Sequence, residues 1–264
     1  EYVTMRRAVQ AARRELADLR SAINEYFADE LIRPTIRIEM PPAAAPRERW
    51  ITEAEAATLL RIAWRKWQAT RCGGKRYVAR HIARFILVGL YTGTRSSAIC
   101  GAALRPTIGR GYIDIQRGVF YRRPPGAKET NKRQPSARLP DKLLNHIRRW
   151  ERLGLCKNFI VEWEGEPVKR ISKAFRRIAI EAGLPDVTPH TLRHTAISWA
   201  LQRGTKAFDV ADYFGVSEEV IKRTYGHHDP EHHREVTTRM DRRHFPFPTC
   251  VAPGFATSAK RALR

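Results

Sequence analysis

The chain is short of acidic residues. Asp and Glu number 27 against 49 Lys and Arg in 264 residues, leaving a formal net charge of +22. That imbalance argues against a cationic partner and for a polyanionic one, most often nucleic acid. Long apolar runs are also missing. The longest, residues 85–90, has the length of a core-helix segment, far below the roughly 18 residues of a spanning helix. No long basic amphipathic helix with an aromatic face is present, which counts against a membrane surface as the polyanion. Cysteine is sparse: Cys72, Cys100, Cys156 and Cys250 stand apart with no Cys-x-x-Cys pair. This excludes a disulfide framework or a zinc ribbon and reads as reduced thiols of an intracellular protein. The chain opens on Glu1 directly into a helical pattern, so the expectation is no secretory signal and a fragment of a longer chain. No internal repeat is evident.

What is present is enough apolar sequence, 42%, to fill a core. Residues 5–31 carry Val9, Leu16, Leu19, Ile23, Tyr26 and Phe27 at helical spacing. Pro41, Pro42 and Pro46, with alanines between, then form a semi-rigid spacer that no helix crosses. Thr52-Glu53-Ala54-Glu55 has the form of a capping box. It opens a helix predicted to carry Leu59, Leu60, Ala63, Trp64 and Trp67, with a break at Cys72-Gly73-Gly74. A second helix is predicted over 77–89, ended by Gly93, and a short one near Thr94 or Ser96. Residues 107–140 change character: Tyr112–Ile115, Val119–Tyr121 and Arg138-Leu139 predict two or three short antiparallel strands. Helices return over 141–153, 168–182, 189–203, 206–214 and 217–224. The fold class is therefore mainly α with a small antiparallel β-sheet (α+β). The six tryptophans read as packing residues, and the segment from Phe245 as a tail.

Three places carry chemistry. Thr188-Pro189 starts a helix, with Thr as N-cap and Pro at the first helical position. His190, Arg193 and His194 follow in its first turns, where the helix N-terminus favours an anion such as phosphate. Arg95, in Thr92-Gly93-Thr94-Arg95, follows a turn into another helix start. A guanidinium fork suits two phosphate oxygens at once. Taken singly, a His-x-x-Arg reads as helix capping and a lone Arg as a surface ion pair. Tyr225 supplies a hydroxyl able to attack a phosphodiester.

The ordered set Thr92-Gly93-Thr94-Arg95, His190-x-x-Arg193-His194 and a downstream tyrosine resembles the tyrosine recombinases, or phage integrase family, over most of residues 50–240. The family order is Arg, Lys, His-x-x-Arg, His or Trp, Tyr, with the tyrosine nine residues after the His or Trp. Aligning Tyr225-Gly226-His227 to the Leu-Gly-His motif leaves Val236 at the nucleophile position. Aligning Tyr213-Phe214-Gly215-Val216 there makes Tyr225 the nucleophile and puts Val216 where the family has His or Trp. A valine donates no hydrogen bond, and His227 is the candidate that compensates. Lys128, in Gly126-Ala127-Lys128-Glu129, fits the family lysine, with Lys132 the alternative.

The resemblance implies the rest. Tyr225 forms a 3′-phosphotyrosyl link, and Arg95 and Arg193 hold the non-bridging oxygens. Lys128 protonates the leaving 5′-oxygen and His190 assists. Lys132, Arg133 and His194 contact DNA. No metal or other cofactor is expected. The enzyme would be a site-specific DNA recombinase that integrates or excises mobile DNA. Its partner is double-stranded DNA at attachment sites, on which it acts as a homo-tetramer, with accessory DNA-bending or directionality factors and no membrane. A cytoplasmic, nucleoid-associated location in a bacterium follows. Residues 1–46 are expected to be the C-terminal part of a helical core-binding domain plus linker, 47–248 the catalytic domain and 249–264 a C-terminal tail.

Two rivals stand beside this. Residues 206–225 also fit helix, Gly turn, helix, the pattern of a transcription regulator. Glu218 and Glu219, at the start of the second helix, count against phosphate contact there. The other rival keeps the integrase fold, binds DNA and does not cut it, because of Val216. The histidines 227, 228, 232 and 233 invite a metal, but Asp229-Pro230 interrupts helical spacing.

Overall fold

The computed structural model describes residues 8–28, 37–43, 49–70, 74–128 and 133–226. The chain divides into two compact units, Glu1–Trp50 and Ile51–Arg264.

In the first unit, α1 (Val9–Tyr26) buries Ala12 and leaves Val9, Leu19 and Tyr26 exposed. Residues 37–43 have no regular structure, as their prolines require. Gln10 Nε2 donates to Pro42 O at 3.2 Å and Arg13 to Pro41 O, so the spacer lies along this helix. The expected ends of the helix, 5–7 and 29–31, lie outside the described residues.

The second unit begins at the capping box. Glu55 N–H donates to Thr52 Oγ1 at 3.2 Å, and Thr52 N–H to Glu55 Oε2 at 2.8 Å. They start α2 (Glu53–Arg65). Ile51 N–H donates to the buried Thr195 hydroxyl at 3.0 Å, which fixes the start of the unit to a later helix. Trp67, expected on α2, instead opens a hairpin of β1 (Trp67–Ala69) and β2 (Lys75–Tyr77). Lys66 takes an extended ψ of 119° and accepts Val78 N–H at 3.1 Å. That bond also keeps Val78 out of the next helix, α3 (Arg80–Thr92), which starts three residues later than the periodicity predicts. α4 (Ser96–Gly101) follows.

The expected small sheet has three antiparallel strands: β3 (Tyr112–Asp114), β4 (Val119–Tyr121) and β5 (Ala137–Arg138). After α5 (Asp141–Arg152) comes a hairpin that periodicity did not reveal, β6 (Glu162–Trp163) with β7 (Glu166–Pro167). The carboxylate of Glu162 accepts the N–H groups of Lys157, Asn158 and Phe159 at 2.8–2.9 Å. This loop delays α6 to Ser172–Glu181, four residues after the expected 168. Then come α7 (Pro189–Gln202), α8 (Ala207–Phe214) and α9 (Glu218–Tyr225).

The amphipathic α3 is the centre of the unit. It packs between α2 and α7, and its Phe85 meets Phe175 edge-on at 6.1 Å. Leu59, Ile86, Val88, Ile113, Phe120, Leu143 and Ile147 complete the dry core. Each such side chain contributes about 1.5–3 kcal/mol by leaving water. A second cluster, Ala196, Ile197, Leu201, Val210, Ala211, Phe214, Ile221 and Tyr225, holds α8 and α9 on α7. The C-terminal end of α3 and the N-terminal half of α7 thus lie beside the C-terminal helices.

Candidate active site

The site is built on two glycine turns. Gly93 ends α3 with φ +55°, a conformation that disfavours any Cβ. A Cβ there would also stand 2.4 Å from the Phe214 ring. Gly215 ends α8 with φ +62°, and a Cβ there would stand 2.6 Å from Pro135 Cδ and 2.7 Å from Arg133 O. The two turns let α3, α8 and the irregular segment 133–136 converge without side chains between them.

Three guanidinium groups gather at this convergence. Arg193, on α7, is 7% exposed. It donates through Nη1 to Gly93 O and through Nη2 to Phe214 O, each at 2.7 Å. Arg95, the N-cap of α4, is half-buried and donates through Nη1 to Arg133 O at 2.8 Å. Arg122, at the end of β4, is 5% exposed. Its Nε–H goes to Thr94 Oγ1 and its Nη2 to Thr92 O, both at 2.8 Å. Its Nη1 goes to Tyr213 O at 2.7 Å and Pro135 O at 3.2 Å. Among the described residues no carboxylate pairs with any of the three.

Their charges are felt mutually. Burial, then Arg95 and Arg122, lower the Arg193 pKa to about 10, against an opposing pull from Tyr225. Burial lowers Arg122 to about 10 as well, with Arg95 adding to the effect and Tyr213 opposing it. Burial lowers Arg95. All three stay charged at neutral pH, so among the described residues the site carries positive charge that no carboxylate pairs with, which suits an anion. Five N–H donors per guanidinium separate the roles. Arg122 spends its three nitrogens on protein acceptors, whereas Arg95 commits one Nη and Arg193 two. Arg95 and Arg193 have donors left for a ligand.

The histidine box sits on α7 as the cap residues predict. Thr188 Oγ1 accepts Thr191 N–H at 3.4 Å, Thr191 Oγ1 accepts Thr188 N–H at 3.0 Å, and Pro189 takes the first turn. His190 is exposed, and its ring meets that of His194 edge-on, with centroids 4.7 Å apart. Tyr225 ends α9 at 5% exposure, with Oη 2.6 Å from His194 Nδ1. Burial pushes the phenol up to about 12, with Arg193 pulling it down. Burial, then His190 and Arg193, hold His194 near 4.

Of the residues singled out from the sequence, Arg95 and Arg193 therefore come together at the Gly93 turn, and His190, His194 and Tyr225 form a contiguous group beside Arg193. Arg193 feels both Arg95 and Tyr225. Lys128 does not join them; it is exposed just after the turn at 124–127. Arg133 is exposed and enters the site through its carbonyl. His194, expected to meet DNA, has Nδ1 2.6 Å from the Tyr225 hydroxyl oxygen. Lys132, His227 and the other histidines of 227–233 lie outside the described residues. Val216 is half-buried against the C-terminal cluster. The helix, glycine turn, helix of residues 206–225 exists as α8, Gly215 and α9, but it buries Phe214, Ile221 and Tyr225. No group of three His, Cys, Asp or Glu able to hold a metal occurs among the described residues, nor a helix long and apolar enough to cross a membrane.

Sequence reasoning missed Arg122, and it named Tyr213 and Gly215 only within the motif and turn that place Tyr225. A signal for Arg122 existed. In β4 the buried Phe120 alternates with half-buried Val119 and Tyr121, and the next inward position is 122.

A helical domain with small antiparallel sheets, carrying an arginine pair, a histidine box and a tyrosine on its last described helix, has the catalytic-domain fold of a tyrosine recombinase. The phage integrase family model matches residues 49–232, and the chain belongs to the phage integrase family. Solved structures agree on the fold. The Tn1549 transposon integrase in complex with transposon right end DNA is similar with a TM-score of 0.62 at 16% identity, over 88% of this chain and 79% of that one. A second Tn1549 integrase structure, with a circular intermediate DNA, is similar with a TM-score of 0.63 at 16% identity over the same shares. XerA recombinase is similar with a TM-score of 0.51 at 20% identity, over 84% of this chain and 74% of that one. No curated protein matches by sequence.

Proposed function

We propose that this recombinase cleaves and rejoins duplex DNA through Tyr225, integrating or excising mobile DNA. The observation that carries the reading is that Arg193 lies close enough to feel both Arg95 and Tyr225, with no carboxylate among the described residues paired with either arginine. Tyr225 Oη attacks the phosphorus and forms a 3′-phosphotyrosyl bond, and the 5′-oxygen leaves. The free donors of Arg95 and Arg193 hold the non-bridging oxygens and offset the charge that grows in the transition state. His190, at the positive end of α7, steadies the same phosphate. A lysine protonates the 5′-oxygen. Arg133, whose carbonyl Arg95 holds, is the sequence neighbour of Lys132, which makes Lys132 a stronger candidate than the exposed Lys128. The arginines supply the charge that a metal brings elsewhere.

The net charge of +22 supports double-stranded DNA as partner, and the Tn1549 integrase structures contain DNA. The finer parts follow from the family. The protein acts as a homo-tetramer on attachment sites with accessory bending or directionality factors, at a bacterial nucleoid. Residues 1–46 close on the duplex as the end of a core-binding domain, 47–248 catalyse, and 249–264 form a tail.

The test is incubation with nicked duplexes from a random-sequence pool, followed by detergent. Wild type leaves a DNA–protein complex that survives denaturation. Arg95→Ala forms it about 10²–10³ times more slowly. Binding that is reversible, salt-sensitive and never detergent-resistant contradicts the cleavage reading and favours a binding-only protein, the outcome Val216 would explain.

A further inference from the structure

The contact between Tyr225 and His194 has no part in the reaction as described so far. Resting on the assignment of Tyr225 as nucleophile, we propose that His194 is the general base that takes the phenolic proton as the oxygen attacks. Oη stands 2.6 Å from Nδ1, and Nδ1 is its only hydrogen-bond partner among the described residues. At 5% exposure the phenol has little access to water as an alternative proton acceptor. Packing fixes both partners. Tyr225 belongs to the buried cluster that includes Ile197, Leu201 and Ile221, and His194 is on the second turn of α7, its ring against His190 one turn earlier. The proton therefore has one destination.

The surroundings favour a neutral, accepting imidazole. On α7, burial first and then His190 and Arg193 lower its pKa. From α9 the group that meets the ring is the Tyr225 hydroxyl; the α9 cation Lys222 is paired with Glu218 at 2.9 Å. Burial, His190 and Arg193 thus disfavour a positive charge on the ring before the reaction. The phenol then donates to Nδ1, and the ring carries its own proton on Nε2.

The step balances. The Oη–H bond breaks and its proton passes to Nδ1, giving an imidazolium. The Oη–P bond forms and the P–O5′ bond breaks, and the 5′-oxygen takes a proton from the lysine. The phosphate, carrying negative charge between Arg95 and Arg193, offsets the imidazolium. In rejoining, the 5′-hydroxyl returns its proton to the lysine and attacks phosphorus, while the imidazolium reprotonates Oη.

The experiment uses the full chain and a duplex selected from a random pool by adduct formation with wild type. Single-turnover adduct formation is followed for His194→Gln and His194→Asn, which keep polar side chains but take no proton near neutral pH. Both are expected to slow the step by at least about 100-fold at saturating duplex. A 5′-bridging phosphorothiolate at the mapped scissile position has a leaving thiolate that needs no acid. It is expected to rescue Lys132→Ala or Lys128→Ala, whichever removes the acid, and neither His194 variant. Imidazole in the buffer is expected to restore part of the rate to His194→Gly, which a purely structural role would not allow. Wild-type or faster cleavage by either conservative variant would show a restraint on the tyrosine, not a base, and overturn the proposal. An adduct that persists in Tyr225→Phe would instead remove the nucleophile assignment on which it rests.

Discussion

Arg122 offers the sharpest test of how the site is held. Its guanidinium is buried with no carboxylate partner among the described residues and is compensated by Thr94 Oγ1 and three backbone carbonyls, those of Thr92, Tyr213 and Pro135. It joins the turn carrying Arg95, the strand leading to β5 and the end of α8. Arg122→Met keeps the aliphatic stem and removes every donor, leaving three carbonyls to find water or remain unpaired. An unsatisfied buried acceptor costs about 1–3 kcal/mol. Relaxation and entering water recover part of three such costs, so a net loss of about 3–5 kcal/mol is expected. For a unit of about 200 residues, each kcal/mol moves Tm by about 2–4 °C, so Tm falls by roughly 6–20 °C. Arg122→Lys, with one compact ammonium in place of a fork, regains only part of this. Differential scanning calorimetry of the three proteins measures it. A Tm for Arg122→Met within a degree of wild type would refute the reasoning, because four such bonds cannot then be holding the site together.

Gly93→Ala meets a left-handed backbone, about 1–2 kcal/mol, and the Phe214 ring 2.4 Å away, about 1–3 kcal/mol of overpacking. It should lower stability by about 2–5 kcal/mol in urea melts and slow adduct formation, since Gly93 O holds Arg193. Burial holds His81 and His194 near 4, well below the usual 6.5. Below pH 6.5 the unfolded chain therefore takes up protons that the folded chain refuses, and stability falls as pH drops from 6.5 toward 4. Urea midpoints at pH 7 and pH 5 check this, and His194→Gln should flatten the slope. Thr188→Ala removes the cap of α7 and is expected to cost about 1 kcal/mol, with a larger effect on cleavage than on melting because His190 sits in the freed turn.

The elements that the sequence disclosed best are those with strong local chemistry. Thr52 with Glu55, and Thr188 with Pro189, are cap signals, and α2 and α7 start where those residues place them. The alternation around Phe120 gave the three-stranded sheet. The hairpins β1–β2 and β6–β7 were not legible. Their strands of two or three residues are too short for a period, and Trp67 continued the helical spacing of Leu60 and Trp64. The starts of α3 and α6 moved for the same reason, since hairpin bonds took residues that periodicity gave to a helix. Within the site, Arg95, His190, Arg193 and Tyr225 could be found because their order and spacing resemble a family. Arg122 was passed over: the strand alternation marks it only as an inward position, and among 49 cations its importance comes from carbonyls up to 91 residues away. The pairing of His194 with Tyr225 was equally invisible, because it depends on how α9 returns to α7.

The central claim is that the oxygen of Tyr225 becomes bonded to DNA. The direct measurement is to trap the adduct on a nicked duplex, digest it with trypsin and nuclease, and sequence the nucleotide-bearing peptide by mass spectrometry. The account predicts the peptide 224–234, with the nucleotide on Tyr225. A nucleotide on any other residue, Tyr213 included, would contradict it.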